Sequence, residues 1–385
     1  MMDRRKLIKS TAAALLATGM MPKIAFANVP TNKRFVLMFL RGGLDGLHAM
    51  PPFADPNYKR LRPNIVVENP IKLGGYFGLH PSLRPLMPLY RQNQLLFIPA
   101  SSTDYRQRSH FDGQNFLENG SGRPYGALDG WLNRAIVSLN GGDQRLGLAI
   151  GQQVPLILQG SGNIQTWSET RLPELSDDFL QRLSHIYKDD EIFAKAFADA
   201  QNREGPNLSM RPGMGPIRGQ DLTRSAKVVA DLLSRRDGPR IAVLESQGWD
   251  THFDQDRRLN GLLAGVADAI TTLRSDMRSV WTDTVVLVVS EFGRTAAQNG
   301  NKGTDHGTGG LAMLAGGAIK GGRITGYWPG LKRSALYEGR DLRAVNSYEG
   351  IFKSILIGHL GLIDTVIADQ ILPGNRTEPM PGLLV

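Results

Sequence analysis

Three histidines of this chain stand beside aspartates in short, glycine-rich segments. His48 lies three residues after Asp45 in Arg41-Gly-Gly-Leu-Asp45-Gly-Leu-His48. His252 closes Gly248-Trp-Asp250-Thr-His252, and His306 sits in Gly303-Thr-Asp305-His306-Gly. A further acid, Glu291, belongs to Ser290-Glu-Phe-Gly-Arg294-Thr. Imidazole nitrogen with carboxylate oxygen is a ligand set suited to zinc, manganese or iron. Carboxylates crowded together repel one another unless protons or a cation intervene. A divalent ion held there could polarise a phosphoryl or sulfuryl oxygen. Each Asp/His pair also has a local reading: Asp250 as a cap before a helix, Asp305 as the closure of an Asx-turn. Three such clusters together favour a metal site.

The segment Arg106-Gln-Arg108-Ser109-His110-Phe-Asp112 offers a different chemistry. Ser109 and His110 fall at a predicted helix start, where a hydroxyl nucleophile would face the positive helix end and an anionic substrate would be favoured. Ser109 followed by Asp112 is equally a helix-capping pattern. Arg106 and Arg108 could clamp an anionic group or simply be solvated. Of the other histidines, His80 in Gly78-Leu-His-Pro81 ends a loop and could be a late ligand, while His185 and His359 fall in helical windows as packing or surface residues.

The elements that must carry these residues can be read from hydrophobic patterning. Continuous apolar runs at 34–40, 95–98, 240–245 and 284–290, with a shorter one at 311–314, are predicted strands. Helical windows fall at 109–119, 129–138, 177–187, 191–201, 221–234, 257–277 and 345–360. Apolar strands alternating with helices predict an α/β fold: a mostly parallel central sheet covered by helices on both faces. In such a sheet ligands bind beyond the carboxyl ends of the strands. Asp45, Asp250, His252 and Glu291 follow predicted strands, and His306 follows Glu291 closely.

The chain has 385 residues, with 45 Lys+Arg against 36 Asp+Glu, 41 % hydrophobic and 21 % charged residues, and no cysteine. That composition excludes a disordered, collagenous or coiled-coil protein. The absent cysteine excludes disulfides, thiolate zinc and iron–sulfur clusters. No apolar run reaches the roughly 18 residues that span a bilayer, so no stable membrane span is expected. No basic stripe interleaved with aromatics is present, so nucleic acid is not an expected partner.

Residues 1–27 read as a leader. Arg4-Arg5-Lys6-Leu-Ile-Lys9 is basic, Ser10–Met21 is weakly apolar, and Ala25-Phe-Ala27 is a small-x-small cleavage site. This is the pattern of a twin-arginine secretory signal, with an amphipathic N-terminal helix as the alternative. The expectation is one α/β domain over 28–385, with a flexible insertion near 205–219, delivered to the periplasm or outside the cell by the twin-arginine translocase. Export after folding in a reducing cytoplasm fits the absent cysteines.

The ordered set of an arginine-pair signal, Phe-Leu-Arg-Gly-Gly-Leu-Asp-Gly, Gly-Leu-His-Pro, Arg-Ser-His-Phe-Asp, Gly-Trp-Asp-Thr-His, Ser-Glu-Phe-Gly-Arg-Thr and Gly-Thr-Asp-His-Gly resembles the twin-arginine-exported domain-of-unknown-function family 1501 across essentially the whole chain. That family in turn resembles the alkaline phosphatase/sulfatase superfamily of metal-dependent hydrolases. The resemblance implies an alkaline-phosphatase-like fold. It implies Asp45 as a first-strand metal aspartate, Asp250 and His252 as a metal-binding pair, and Glu291 and Asp305-His306 as further ligands. The ion would be divalent, zinc or manganese. Ser109, with His110 beside it, would be the nucleophile candidate, and Arg106, Arg108 and Arg294 would neutralise a small anionic substrate, a phosphate or sulfate ester. Phe292 stands where a second-site histidine is expected, so a second ion is weakened or lost. No Ser/Cys-x-Pro/Ala-x-Arg motif is present, which excludes a formylglycine sulfatase. The competing expectation is a non-catalytic binding or assembly protein that keeps the fold.

Overall fold

The computed structural model describes residues 31–140, 146–168, 186–187, 190 and 222–385. The leader, His185, the 205–219 insertion and the helical window at 191–201 lie outside the described residues, as does most of the window at 177–187.

Among the described residues the main sheet has nine strands: β1 (Arg34–Leu40), β2 (Leu95–Ser102), β3 (Gly147–Ile150), β4 (Ile164–Trp167), β5 (Ile241–Ser246), β6 (Thr284–Val289), β7 (Gly310–Ala315), β8 (Arg323–Ile324) and β9 (Asn346–Ser347). Their order in space is β8-β2-β7-β6-β1-β5-β3-β4, with β9 also pairing β2. All pairings are parallel except those of β7, which runs antiparallel to both β2 and β6. β1 lies at the centre, with Phe35 opposite Ile241 on one side and Val285 on the other.

The uninterrupted apolar character of β1 has a direct cause. Val36, Met38 and Leu40 enter the core on one face, while Phe35, Leu37 and Phe39 enter the core on the other. A strand buried on both faces has no polar alternation to show. Helices α4 (Leu222–Ser234) and α5 (Gln255–Asp276) supply Val229, Leu233, Leu259 and Leu263 to the first layer. Helices α3 (Trp131–Asn140) and α6 (Tyr348–Gly358) supply Leu132, Ile136, Ile351 and Ile355 to the second. Two further helices position the site: the single turn α1 (Gly46–Ala49) and α2 (His110–Asn119).

The second strand runs four residues past its predicted end. Pro99 lies inside it, and the register with β7 shifts between Pro99 and Ser101. A bulge accommodates the missing amide. No described helix is long and apolar enough to cross a membrane.

Candidate metal centre

The carboxyl ends of β1, β5 and β6 deliver the loops that carry Asp45, Asp250–His252 and Ser290–Glu291. β2 feeds the loop that ends at His110. His306 precedes β7, and because that strand is antiparallel, its start lies at the same end of the sheet. Residues from five strands therefore meet at one rim.

His110, His252 and His306 come together there. His110 Nε2 and His252 Nε2 each lie 3.0 Å from His306 Nε2. Asp250 Oδ1 is 2.9 Å from His252 Nε2, 3.2 Å from His306 Nε2 and 3.5 Å from His110 Nε2. The opposite nitrogen of every ring faces an acceptor. His110 Nδ1 is 2.7 Å from Glu291 Oε1, His252 Nδ1 is 3.2 Å from Asp305 Oδ1, and His306 Nδ1 is 2.9 Å from the Arg108 carbonyl oxygen. Carboxylate or carbonyl behind Nδ1 fixes the proton there and leaves the Nε2 lone pair free, the arrangement typical of metal-ligating histidines.

Lone pairs facing one another at 3.0 Å repel unless a proton or a cation lies among them. Nitrogen and oxygen donors held tetrahedrally at about 2.1 Å from one zinc ion stand about 3.4 Å apart. The donor set of His110, Asp250 and His306 fits such an ion in kind and spacing, and His252 stands against Asp250 and His306 at its edge.

Electrostatics reinforce the arrangement. Burial works against charging the His110 ring, but Glu291 and Asp250 outweigh it and raise its pKa. Burial, followed by the neighbouring His110, lowers that of His306. Burial disfavours the Asp250 carboxylate, yet the Arg294 guanidinium, 2.6 Å away, holds its pKa below the ordinary range. Glu291 is fully buried and still kept low, against desolvation, by bonds from His110 and Gln114.

The residues singled out in the sequence fall into distinct places. Glu291 and Asp305 back the rings of His110 and His252. His110, named above beside the serine, presents its nitrogen to the cluster itself. Asp45 is drawn off: its Oδ1 accepts the amides of Leu47 and His48, and its Oδ2 takes Arg62 Nη1 and Gln255 Nε2, each at 2.7 Å. Ser109 is the N-cap of α2, accepting the Asp112 amide at 3.4 Å. Arg106 binds the carbonyls of Thr103 and Tyr105. Arg108 pairs with Asp341 and Glu338. Arg294 is buried between Asp250 and Thr304. Phe292, also buried, stacks on His110 with ring centroids 4.7 Å apart.

Gln114 was not singled out. It donates to Glu291 at 2.9 Å and accepts from Arg41 at 2.7 Å. Its one signal is its spacing of four from His110, which places both on one helix face.

A family model described as "Protein of unknown function (DUF1501)" matches residues 98–358. No curated protein matches the chain. Among solved structures, Ps i-CgsB in complex with k-i-k-neocarrahexaose is 12 % identical, with a TM-score of 0.43, over 89 % of this chain and 75 % of that one. A protein in the alkaline phosphatase superfamily from Vibrio parahaemolyticus is 13 % identical, with a TM-score of 0.40, over 86 % of this chain and 72 % of the other. Alkaline phosphatase from the Antarctic bacterium TAB5 is 13 % identical, with a TM-score of 0.33, over 77 % of this chain and 91 % of the other. Likeness at this level does not define an activity.

Proposed function

Because the chain belongs to the DUF1501 family of proteins of unknown function, whose name assigns no activity, we propose one from the site: an exported, metal-dependent hydrolase of a phosphate or sulfate ester. The observation that supports it is the convergence of the Nε2 atoms of His110, His252 and His306 with Asp250 Oδ1, each ring backed at Nδ1 by an acceptor. Zinc or manganese bound there would polarise an ester oxygen, neutralise its charge and lower the pKa of an attacking water.

The chain's own residues do the positioning. Glu291, Asp305 and the Arg108 carbonyl hold the three rings in one tautomer and orientation. Arg294 fixes Asp250 from the buried side and cannot reach outward, since its other nitrogens bind Thr304. The Ser109 hydroxyl accepts the Asp112 amide at 3.4 Å and keeps its own proton and a second lone pair, so serine and a metal-held water are both available as the attacking group. Phe292, buried itself, stacks on the His110 ring and limits its rotation.

The leader pattern read in residues 1–27 supports a location in the periplasm or outside the cell, reached through the twin-arginine translocase. Replacing Arg4 and Arg5 by lysine is expected to hold the chain in the cytoplasm, read by cell fractionation.

The decisive experiment is metal analysis of purified protein with a screen of phosphate and sulfate esters. One ion per chain at this centre and turnover abolished by His252→Gln are expected. Full turnover in chelator-stripped protein, or in His252→Gln, removes the proposal. A second reading, a binding or assembly protein that keeps the fold, draws on the commitment of Ser109, Arg106, Arg108 and Arg294 to structural partners. Stoichiometric metal without turnover of any ester favours it.

A further inference from the structure

Another group of donors lies between α1, the turn at His80 and the start of α5, and shares no residue with the centre above. His48 is fully buried, and among the described residues neither of its ring nitrogens has a hydrogen-bond partner. A buried polar group left without a partner keeps its whole desolvation cost, so a ring in this state calls for a ligand. Its Nε2 faces Asp256 Oδ1 at 3.5 Å, too long for a hydrogen bond of good geometry. The His80 ring stacks on it, centroids 5.1 Å apart. One donor atom from each of His48, His80 and Asp256 lies within 4.8 Å of the other two.

Those spacings suit an ion. Two donors at about 2.1 Å from a tetrahedral zinc stand about 3.4 Å apart, so His48 and Asp256 are already at coordination distance. Bringing the widest pair, up to 4.8 Å apart, to that separation closes it by up to about 1.4 Å, shared between two side chains. A cleft of about 400 Å³, lined by residues 63–68, His80, Pro81, Asp256 and Asn260, opens on the group. It supplies an entry path and room for a water as fourth ligand.

We infer that His48, His80 and Asp256 form a second divalent transition-metal site, separate from the His110–His252–His306 centre. Two imidazoles, one carboxylate and one water are a donor set that suits zinc. The site ties three segments that are distant in sequence. His48 follows Asp45 by three residues, and Asp256 follows His252 by four, so an ion here braces both strand-end loops from behind.

Coordination has a specific local consequence. His80 Nδ1 accepts the Ser82 amide at 3.1 Å, which puts the ring proton on Nε2 while no ion is bound. Binding through Nε2 moves that proton to Nδ1 and releases the Ser82 amide. Ser82 is half-buried, so water can replace the lost acceptor.

The test is a zinc titration of chelator-stripped full-length protein against a chromophoric chelator, with the Ser82 amide followed by NMR. Asp256 carries the test because its side chain is 59 % exposed and its replacement leaves the core intact. Asp256→Asn and His80→Gln are each expected to weaken one zinc equivalent at least ten-fold. Zinc is expected to shift the Ser82 amide in the parent protein and not in Asp256→Asn. His306→Gln reports on the other centre alone: its loss of one equivalent, or the lack of one to lose, does not bear on this site. Zinc binding unchanged in both Asp256→Asn and His80→Gln overturns the inference. So does an unmoved Ser82 amide at saturating zinc, or no zinc bound beyond the equivalent that His306→Gln removes.

Discussion

His306 Nδ1 lies 2.9 Å from the main-chain carbonyl oxygen of Arg108, and Arg108 itself is in the left-handed region at φ 63°. That conformation disfavours any residue but glycine, so something must hold it. The Arg108 side chain does: Nε lies 2.8 Å from the buried Asp341, and Nη2 pairs with Glu338. The guanidinium thereby aims its own carbonyl at the third histidine of the candidate metal centre. Arg108 thus meets the candidate site through its backbone carbonyl, while its side chain is paired with Asp341 and Glu338.

Arg108→Ala keeps the carbonyl but releases the anchor. Loss of a partner behind a metal-ligating histidine typically weakens metal binding about 10- to 100-fold, and the lower half of that range is expected here. Competition with a chelator of known affinity measures it. Unchanged affinity in Arg108→Ala would show that the Asp341 and Glu338 pairs are not what orients His306.

Glu291→Gln addresses the first ring. The carboxylate accepts from His110 Nδ1, Gln114 Nε2 and the Gly42 amide at one oxygen, and from the Gly43 amide at the other. An amide turns one of those acceptors into a donor that faces other donors, at about 1–3 kcal/mol for a buried group left unsatisfied. Both the urea midpoint and the metal affinity are expected to fall. A variant that keeps its stability and loses only metal would assign Glu291 a purely electronic part.

The sequence made some of this visible for physical reasons that can be named. Strands buried on both faces appear as apolar runs, so β1, β5 and β6 and the loops after them were readable. Asp250, His252 and His306 stood out because metal-binding residue types recurred at those ends. The direction of β7 was not readable, yet it alone brings His306 to the same rim as Asp250. Asp45 was readable at the end of β1, but its partners Arg62 and Gln255 were not, because tertiary folding brings them to it. The Arg108 carbonyl had no side-chain signal at all.

A pH effect on stability follows from His359, far from either donor group. Its ring is buried at the C-cap of α6, with Nε2 2.8 Å from the Arg34 carbonyl oxygen. Burial lowers its pKa from 6.5 to about 4. Between those values the unfolded chain takes up a proton that the folded chain does not, so stability is full above about pH 6.5 and falls as the pH drops toward 4. The loss reaches about 3 kcal/mol and then levels off. Urea midpoints at pH 7.5 and 4.5 are expected to differ less in His359→Gln than in the parent. Equal differences would locate the acid sensitivity elsewhere.

Gly42 joins the sheet to the candidate metal centre. It sits at φ 122°, and a Cβ there would lie 2.5 Å from the Asp250 amide nitrogen. The β1 and β5 loops can approach this closely only because the position has no side chain. Gly42→Ala therefore forces the Asp250 backbone away from His306, and a loss of about 3 kcal/mol or more is expected, with a fall in metal affinity. Gly74 is the natural control, at φ 112° with nothing within 4 Å of a built Cβ. Gly74→Ala bears the conformational cost alone, about 1–2 kcal/mol, and leaves the metal centre as it was. Urea denaturation and zinc competition on the two variants separate strain from contact. Equal stability losses with metal affinity intact in both would mean that the approach of the two loops does not set the position of Asp250.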